Sequence, residues 1–282
     1  MDTSVFSLIR ARYNTLSPDQ GRIADYVLQN PKLVMLGSLA DVAAACKVSE
    51  TTIIRFLRKL DYSSYQVFKV NIAQELSSSK TSAVYEEVSV DDDTELIMKK
   101  VVQSTVRSIT DSQQVIKPAD IDKVIGMLMN ARKVLIVGVG ASAAIANDFY
   151  HKMLKVGLNA VVCNDPHLMN IISMGLTKDD LIVAFSHSGE SREILSAVTL
   201  AKEQSCPVAA VTSFPKSRLS GLADAVILSS SLETQLRSDA MTSRIIQLVI
   251  IDILHISLVV RLGSKAEENV RKSRLAVALN KQ

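Results

Sequence analysis

The pattern of apolar and polar positions changes once along the chain. Up to about residue 76 the apolar residues recur at helical spacing, and no stretch reads as a strand. Ser17-Pro18-Asp19 reads as a helix start, with Ser17 as N-cap and proline in the first turn, and that helix is expected to stop at Asn30-Pro31. The polar run Ser77–Ser82 predicts a linker, and Asp91-Asp92-Asp93-Thr94 predicts the capped start of a connecting helix from about 94 to 116, closed by Pro118. From Ala131 the pattern becomes short β-branched runs at Val134–Val137, Ala160–Cys163, Leu181–Ser186, Val208–Thr212 and Ala225–Leu228, with helical spacing between most of them. That alternation predicts βαβ units and a parallel sheet. A long apolar helix is expected from about 239 to 262. Its run Ile245–Val260 is broken by Gln247, Asp252 and His255 and flanked by Arg244 and Arg261. The run is shorter than the ~20 residues a bilayer needs, which predicts a core or interface helix.

Residues 38–60 carry the sharpest signal of the first half. A short Ala-rich helix from Ser38 leads through a three-residue turn to Ser49, which is placed to cap a second helix. Ile53, Ile54, Leu57 and Leu60 give that helix an inward face, leaving Thr51, Thr52, Arg55, Arg58 and Lys59 outward. A helix-turn-helix needs this pattern: small residues where the helices cross, and hydroxyls and cations on the helix that meets bases and phosphates. The plainer alternative is a helical hairpin with a solvated basic face. Lys47 and Asp61 stand where a left-handed residue, usually glycine, is wanted.

Composition sets the frame for this. A chain of 282 residues, 48% of them hydrophobic, is long enough for two domains with separate cores. Three cysteines, far apart and in no Cys-x-x-Cys spacing, argue against a disulfide framework or a zinc cluster and suit a reducing compartment. The first residues lack the basic and then apolar regions of a signal peptide, so a soluble cytoplasmic protein is expected. Residues 1–80 hold ten of the 32 Lys+Arg and seven of the 29 Asp+Glu, which leaves 22 of each for the rest. The whole net charge of +3 therefore sits on the helical N-terminal region, a weak footprint of nucleic-acid binding.

Two loops of the expected sheet carry candidate chemistry. Gly138-Val139-Gly140-Ala141-Ser142-Ala143 fits a dinucleotide fingerprint, with Asp165 near the end of the second strand, but it equally fits a tight turn that needs glycine for conformation alone. Ser186-His187-Ser188-Gly189-Glu190-Ser191, between a strand and a helix, decides between them. Three hydroxyls and a glycine before a helix N-terminus make a nest for a phosphate group. With strand order 2-1-3-4-5 both loops flank the topological switch point, and Ser142 would face Ser186, Ser188 and Ser191 across one crevice suited to a single phosphomonoester. His167 and Glu233 are candidates for ligand hydroxyls, each balanced by an ordinary exposed role.

Together these motifs resemble the RpiR family of bacterial transcription regulators, which joins an N-terminal helix-turn-helix domain to a C-terminal sugar isomerase (SIS) domain. The likeness rests on Val48–Phe56 and Tyr65-Gln66-Val67-Phe68-Lys69, on Gly138–Ser142, Asp165-Pro166-His167 and Ser186–Ser191, and on Arg237-Ser238-Asp239-Ala240-Met241-Thr242-Ser243-Arg244. It implies an all-α helix-turn-helix domain at 1–77, a linker and connecting helix at 78–117, an α/β SIS domain at 118–265 with a five-stranded parallel, flavodoxin-like sheet covered on both faces, and a tail at 266–282. It further implies a homodimeric or homotetrameric repressor of a sugar or amino-sugar catabolic operon, with no cofactor, no metal and no membrane partner. Operator DNA would meet Ser49, Thr51, Thr52, Arg55, Arg58, Lys59 and Lys69. A phosphosugar effector, an N-acetylamino-sugar 6-phosphate being favoured, would lie on Gly140, Ser142, His167, Ser186, Ser188, Gly189, Ser191 and Glu233. Ser191 stands where relatives often carry threonine. The rivals are an aldose–ketose phosphosugar isomerase with Glu233 or His167 as base, and a nicotinamide-dependent oxidoreductase.

Overall fold

The computed structural model describes residues 5–78, 88, 90–229 and 241–278. These divide into two compact units that meet in sequence between Val115 and Ile116.

The first unit is all helical: α1 (Val5–Arg12), α2 (Pro18–Gln29), α3 (Pro31–Leu36), α4 (Leu39–Ala45), α5 (Glu50–Lys59), α6 (Tyr65–Ser78) and α7 (Thr94–Ser112). Local chemistry sets the starts. Ser17 and Gln20 form a reciprocal capping box on α2, Ser38 and Asp41 form another on α4, and Asp93 accepts the Leu96 N–H to cap α7. Ile9, Ile23, Val27, Val34, Val42, Ile53, Phe56, Leu57, Phe68 and Ile72 close a dry core, with Phe56 and Tyr62 both edge-on to Phe68. On α5 Phe56 is buried beside Ile53 and Leu57, whereas Ile54 is only half-buried.

α4 and α5 both end in a left-handed residue. The Val48 and Lys47 N–H groups bond back to the Ala43 and Ala44 carbonyls, and those of Tyr62 and Asp61 to Leu57 and Arg58. This double closure needs positive φ at the first residue past the cap, and Lys47 (52°) and Asp61 (65°) adopt it without being glycine. The Lys47 side chain is exposed, so its φ is what the position costs. Lys47→Gly is expected to raise the stability of this unit by about 0.5–1 kcal/mol, seen as a higher urea midpoint. A lower midpoint would show that Lys47 makes contacts outweighing its strain.

One long-range pair ties the ends of this unit together. Arg10 on α1 and Asp111 at the end of α7 form a bidentate ion pair, with only 7% and 6% of each residue exposed, and Arg10 Nη2 also donates to Ser7 Oγ at 3.1 Å. No local pattern in the sequence announces it.

The second unit is α/β: α8 (Pro118–Asn130), β1 (Val134–Gly138), α9 (Ala141–Lys155), β2 (Ala160–Cys163), α10 (Pro166–Met174), β3 (Leu181–Phe185), α11 (Arg192–Glu203), β4 (Val208–Thr212), α12 (Arg218–Leu222), β5 (Ala225–Leu228), α13 (Met241–Leu262) and α14 (Ser264–Ala278). All five strands are parallel in the order β2-β1-β3-β4-β5. Leu135, Val137, Ile182, Ala184, Val208 and Ala210 pack with Met169, Ile194, Val198 and Leu219 of α10, α11 and α12. The opposite face is covered by α8 and α9, with Phe149 edge-on to Phe185, and α13 packs over those two helices. At the N-terminal edge, burial alone would raise the Asp180 carboxyl. Hydrogen bonds from Arg132 and Thr177 outweigh that and hold it below its ordinary value.

α13 runs to Leu262, the end expected for the long apolar helix. Its Ser243–Leu262 stretch has the length and composition to cross a membrane, with mean hydropathy 2.2. It nonetheless buries Ile246, Ile250, Ile251, Leu254 and Leu258 completely, while Leu248, Ile256 and Val260 lie exposed. Where only a tail was expected, α14 docks on the end of α9: Asn269 Nδ2 donates to the Val156 carbonyl, and its side chain fills the space a Cβ at Gly157 would need. Cys46, Cys163 and Cys206 are free and buried.

Candidate functional site

On the first unit, α4 and α5 pack as a helix-turn-helix. Ser49 Oγ accepts the Thr52 N–H and lies 2.8 Å from Thr52 Oγ1, so both hydroxyls are engaged in the α5 N-cap. Thr51, Arg55 and Arg58 are exposed at i, i+4 and i+7 and line one face of α5. Two of the expected DNA-facing cations are tethered instead. Lys59 is half-buried and donates to the Thr15 carbonyl rather than pointing out. Lys69 donates to the Gly37 carbonyl at 2.9 Å and lies over the Tyr65 ring. Both close the unit by binding backbone oxygens that lie beyond helix ends.

On the second unit, Gly138 of β1 lies opposite Phe185 of β3, so the loops that follow leave the sheet side by side at the switch point. Both glycines of the first loop are explained by its turn. A Cβ at Gly138 would overlap the Ser142 carbonyl oxygen, and Gly140 has φ +56°. Asp165, the carboxylate a dinucleotide ribose would need, instead caps α10 by accepting the Leu168 N–H at 2.9 Å. The turn therefore accounts for both glycines, and the α10 cap for Asp165, without a dinucleotide.

The second loop is compact. Ser186 Oγ, only 2% of the residue exposed, accepts the Gly189 N–H at 3.1 Å and lies 3.2 Å from Ser191 Oγ; Ser188 Oγ accepts the Glu190 N–H at 3.2 Å. Gly189 has φ +67°, and a Cβ there would strike the Ser217 hydroxyl. The loop is pinned to the end of β4, where Thr212 Oγ1 and the Ser213 N–H both donate to the His187 carbonyl. Glu190 faces away and caps the start of α12 through the Arg218 N–H at 2.7 Å. α9 and α11, like α3 and α8, have no side-chain N-cap among the described residues, and the N-terminal ends of α9 and α11 are the two that follow β1 and β3 at the switch point. Ser142, in the first turn of α9, supplies a buried hydroxyl from the neighbouring loop.

The structure thus brings Gly140, Ser142, Ser186, Ser188, Gly189 and Ser191 to one end of two adjacent strands. His167 does not join them: its side chain is 93% exposed. Glu233 and Arg237 lie outside the described residues. Sequence reasoning missed Ser213, Ser229 and Gln247, which lie behind the loop. The signals for them were the polar Thr212-Ser213 and Ser229 at the ends of otherwise apolar strands, and Gln247 as a break in the apolar run of α13.

Comparison with known proteins agrees with both halves. A helix-turn-helix domain of the rpiR family matches residues 3–79, and a SIS domain matches residues 127–257. An HTH-type transcriptional regulator of Thermotoga maritima is 38% identical over 275 residues, covering 97% of this chain and 98% of its own. The HTH-type transcriptional regulator HexR of Pseudomonas aeruginosa is 30% identical, covering 94% and 92%. The structure of Vibrio vulnificus NanR complexed with ManNAc-6P superposes with a TM-score of 0.61 at 26% identity, covering 96% of this chain and 98% of that one. The chain belongs to the RpiR family of helix-turn-helix transcriptional regulators with a SIS domain.

Proposed function

We propose that this regulator represses a sugar or amino-sugar catabolic operon in the cytoplasm and is released or retained by a phosphosugar in the SIS crevice. The observation that carries the reading is the serine loop Ser186–Ser191 beside the uncapped helix ends at the switch point, in a chain that also bears an outward basic face on α5. An N-acetylamino-sugar 6-phosphate is the favoured effector class, supported by the ligand bound to the NanR relative. Ser142, Ser186, Ser188 and Ser191 would hold the phosphate, with Gly140 and Gly189 setting their loops; Glu233 would lie near the sugar, and the exposed His167 would reach it only by turning in from outside the serine cluster. The protein would act as a homodimer or homotetramer in which a pair of α5 helices enters major grooves about one helical turn apart. Thr51 would read bases, Arg55 and Arg58 would contact phosphates or bases, and Ser49, Thr52, Lys59 and Lys69 would support them from the cap and tether positions. No catalytic turnover belongs to this reading. The effector acts only as far as it prefers one arrangement of the assembly over another.

Arg55→Ala with Arg58→Ala tests the DNA half. Fluorescence anisotropy with a labelled duplex should show weaker binding. The slope of log K against log [salt] should flatten by about 0.9 for each phosphate no longer neutralised, about 2 per chain. An unaltered slope would move the DNA surface elsewhere.

A further inference from the structure

Behind the serine loop lies a buried polar chain that the ligand site itself does not explain. His187 Nδ1 is 2.9 Å from Ser213 Oγ, and Ser213 Oγ donates to the Ser229 carbonyl at 2.8 Å and lies 3.2 Å from Ser229 Oγ, to which Gln247 Nε2 of α13 donates at 3.3 Å. Ser213 and Ser229 are wholly buried and Gln247 is 1% exposed. Hydroxyls and an amide in such a place are retained only if their hydrogen bonds are made.

The proton count fixes a direction. A serine hydroxyl has one proton and two lone pairs. Ser213 spends its proton on the Ser229 carbonyl, since two bare acceptors at 2.8 Å would repel. With that proton given to the Ser229 carbonyl, Ser213 Oγ stands as an acceptor toward His187, an arrangement that a hydrogen on Nδ1 satisfies. Gln247 completes the run by donating to Ser229. His187 sits between Ser186 and Ser188, its ring edge-on to Phe214, and its carbonyl takes the two bonds from Thr212 and Ser213.

We propose that Ser213, backed by Ser229 and Gln247, is a positioning residue for phosphate recognition: it holds His187 with its proton on Nδ1 and thereby keeps the Ser186–Ser191 loop in its anion-receiving shape before ligand arrives. The assignment rests on the crevice reading above. It extends the site through the ends of β4 and β5 to the first turns of α13. The chain is built for preorganisation, because a loop already held costs less to order on binding.

The test uses the full-length protein with 15N-labelled histidine. There are four histidines, and the His187→Asn variant identifies the His187 signals by their loss. Long-range ring correlations should show a protonated Nδ1 in the native protein and a bare Nδ1 with protonated Nε2 in Ser213→Ala. Affinity for inorganic phosphate, read by thermal shift, should fall about tenfold in Ser213→Ala, the equivalent of one hydrogen bond. His187→Asn, whose amide can donate from the Nδ1 position, should keep phosphate affinity, and His187→Leu should lose it about tenfold. These two variants serve if Ser213→Ala fails to fold. A bare Nδ1 in the native protein, or phosphate affinity unchanged in both Ser213→Ala and His187→Leu, overturns the proposal. If phosphate binding survives in those variants but is lost in Ser186→Ala with Ser188→Ala, the crevice reading stands and the positioning role alone fails. If binding survives in the serine pair as well, the crevice reading itself fails.

Discussion

Replacing Ser186 and Ser188 together by alanine should abolish the thermal stabilisation that a cognate sugar phosphate confers, while leaving DNA binding in place. Each hydroxyl on a phosphate oxygen makes a charge-assisted bond of about 1.5–3 kcal/mol, so the pair accounts for about 3–6 kcal/mol of binding. That is at least a hundredfold in affinity. At a ligand concentration one hundred times Kd the native protein gains about 2.7 kcal/mol, and a hundredfold rise in Kd leaves about 0.4 kcal/mol of it. The screen is a panel of sugar phosphates, including N-acetylmannosamine 6-phosphate, beside their unphosphorylated parents. Ser186 also accepts the Gly189 N–H, so the free double variant should lose a little stability without ligand. Undiminished ligand affinity in the double variant would remove the serine loop from the site.

The second large effect concerns the helical unit. Asp111→Ala should destabilise it by about 3–5 kcal/mol, because it leaves the Arg10 guanidinium buried without its carboxylate. Stabilities of whole domains are commonly about 5–15 kcal/mol, so the variant would approach unfolding at moderate urea. Arg10→Leu with Asp111→Leu should recover much of the loss, since an apolar pair of similar bulk carries no desolvation penalty. The measurement is urea unfolding followed by circular dichroism for Asp111→Ala and for the double variant. A cost under about 1 kcal/mol for Asp111→Ala would mean that the pair behaves as a solvent-exposed one.

These two sites differ in how far they can be read from the chain. The strands and their order are legible because a buried parallel strand is a short unbroken β-branched run between helical stretches, and the fingerprint loops fall at its C-terminal ends. Lys47 and Asp61 are legible as left-handed stops because two helices have to end there. Phe56 escapes the pattern because Ile53, Ile54 and Leu57 satisfy a helical stripe equally well without it, and only the position of Phe68 selects the face. Lys59 and Lys69 look like any solvated cation until the Thr15 and Gly37 carbonyls are placed beside them. Arg10 and Asp111 stand 101 residues apart, and the Ser213–Ser229 bond joins two strand ends. Polar pairs of this kind follow from the finished fold and leave no period in the sequence.

The buried thiols have a practical consequence. Burial pushes Cys206 up to about 11 and raises Cys46 as well, so both stay in the unreactive thiol form at neutral pH, and Cys163, the last residue of β2, is buried in the core. Alkylating reagents therefore meet a nearly blank molecule. A single cysteine introduced at Arg192, exposed in the first turn of α11, would carry a fluorophore to the rim of the crevice without removing any native thiol. Occupancy of the pocket would then become an optical signal, readable while the same molecules hold DNA.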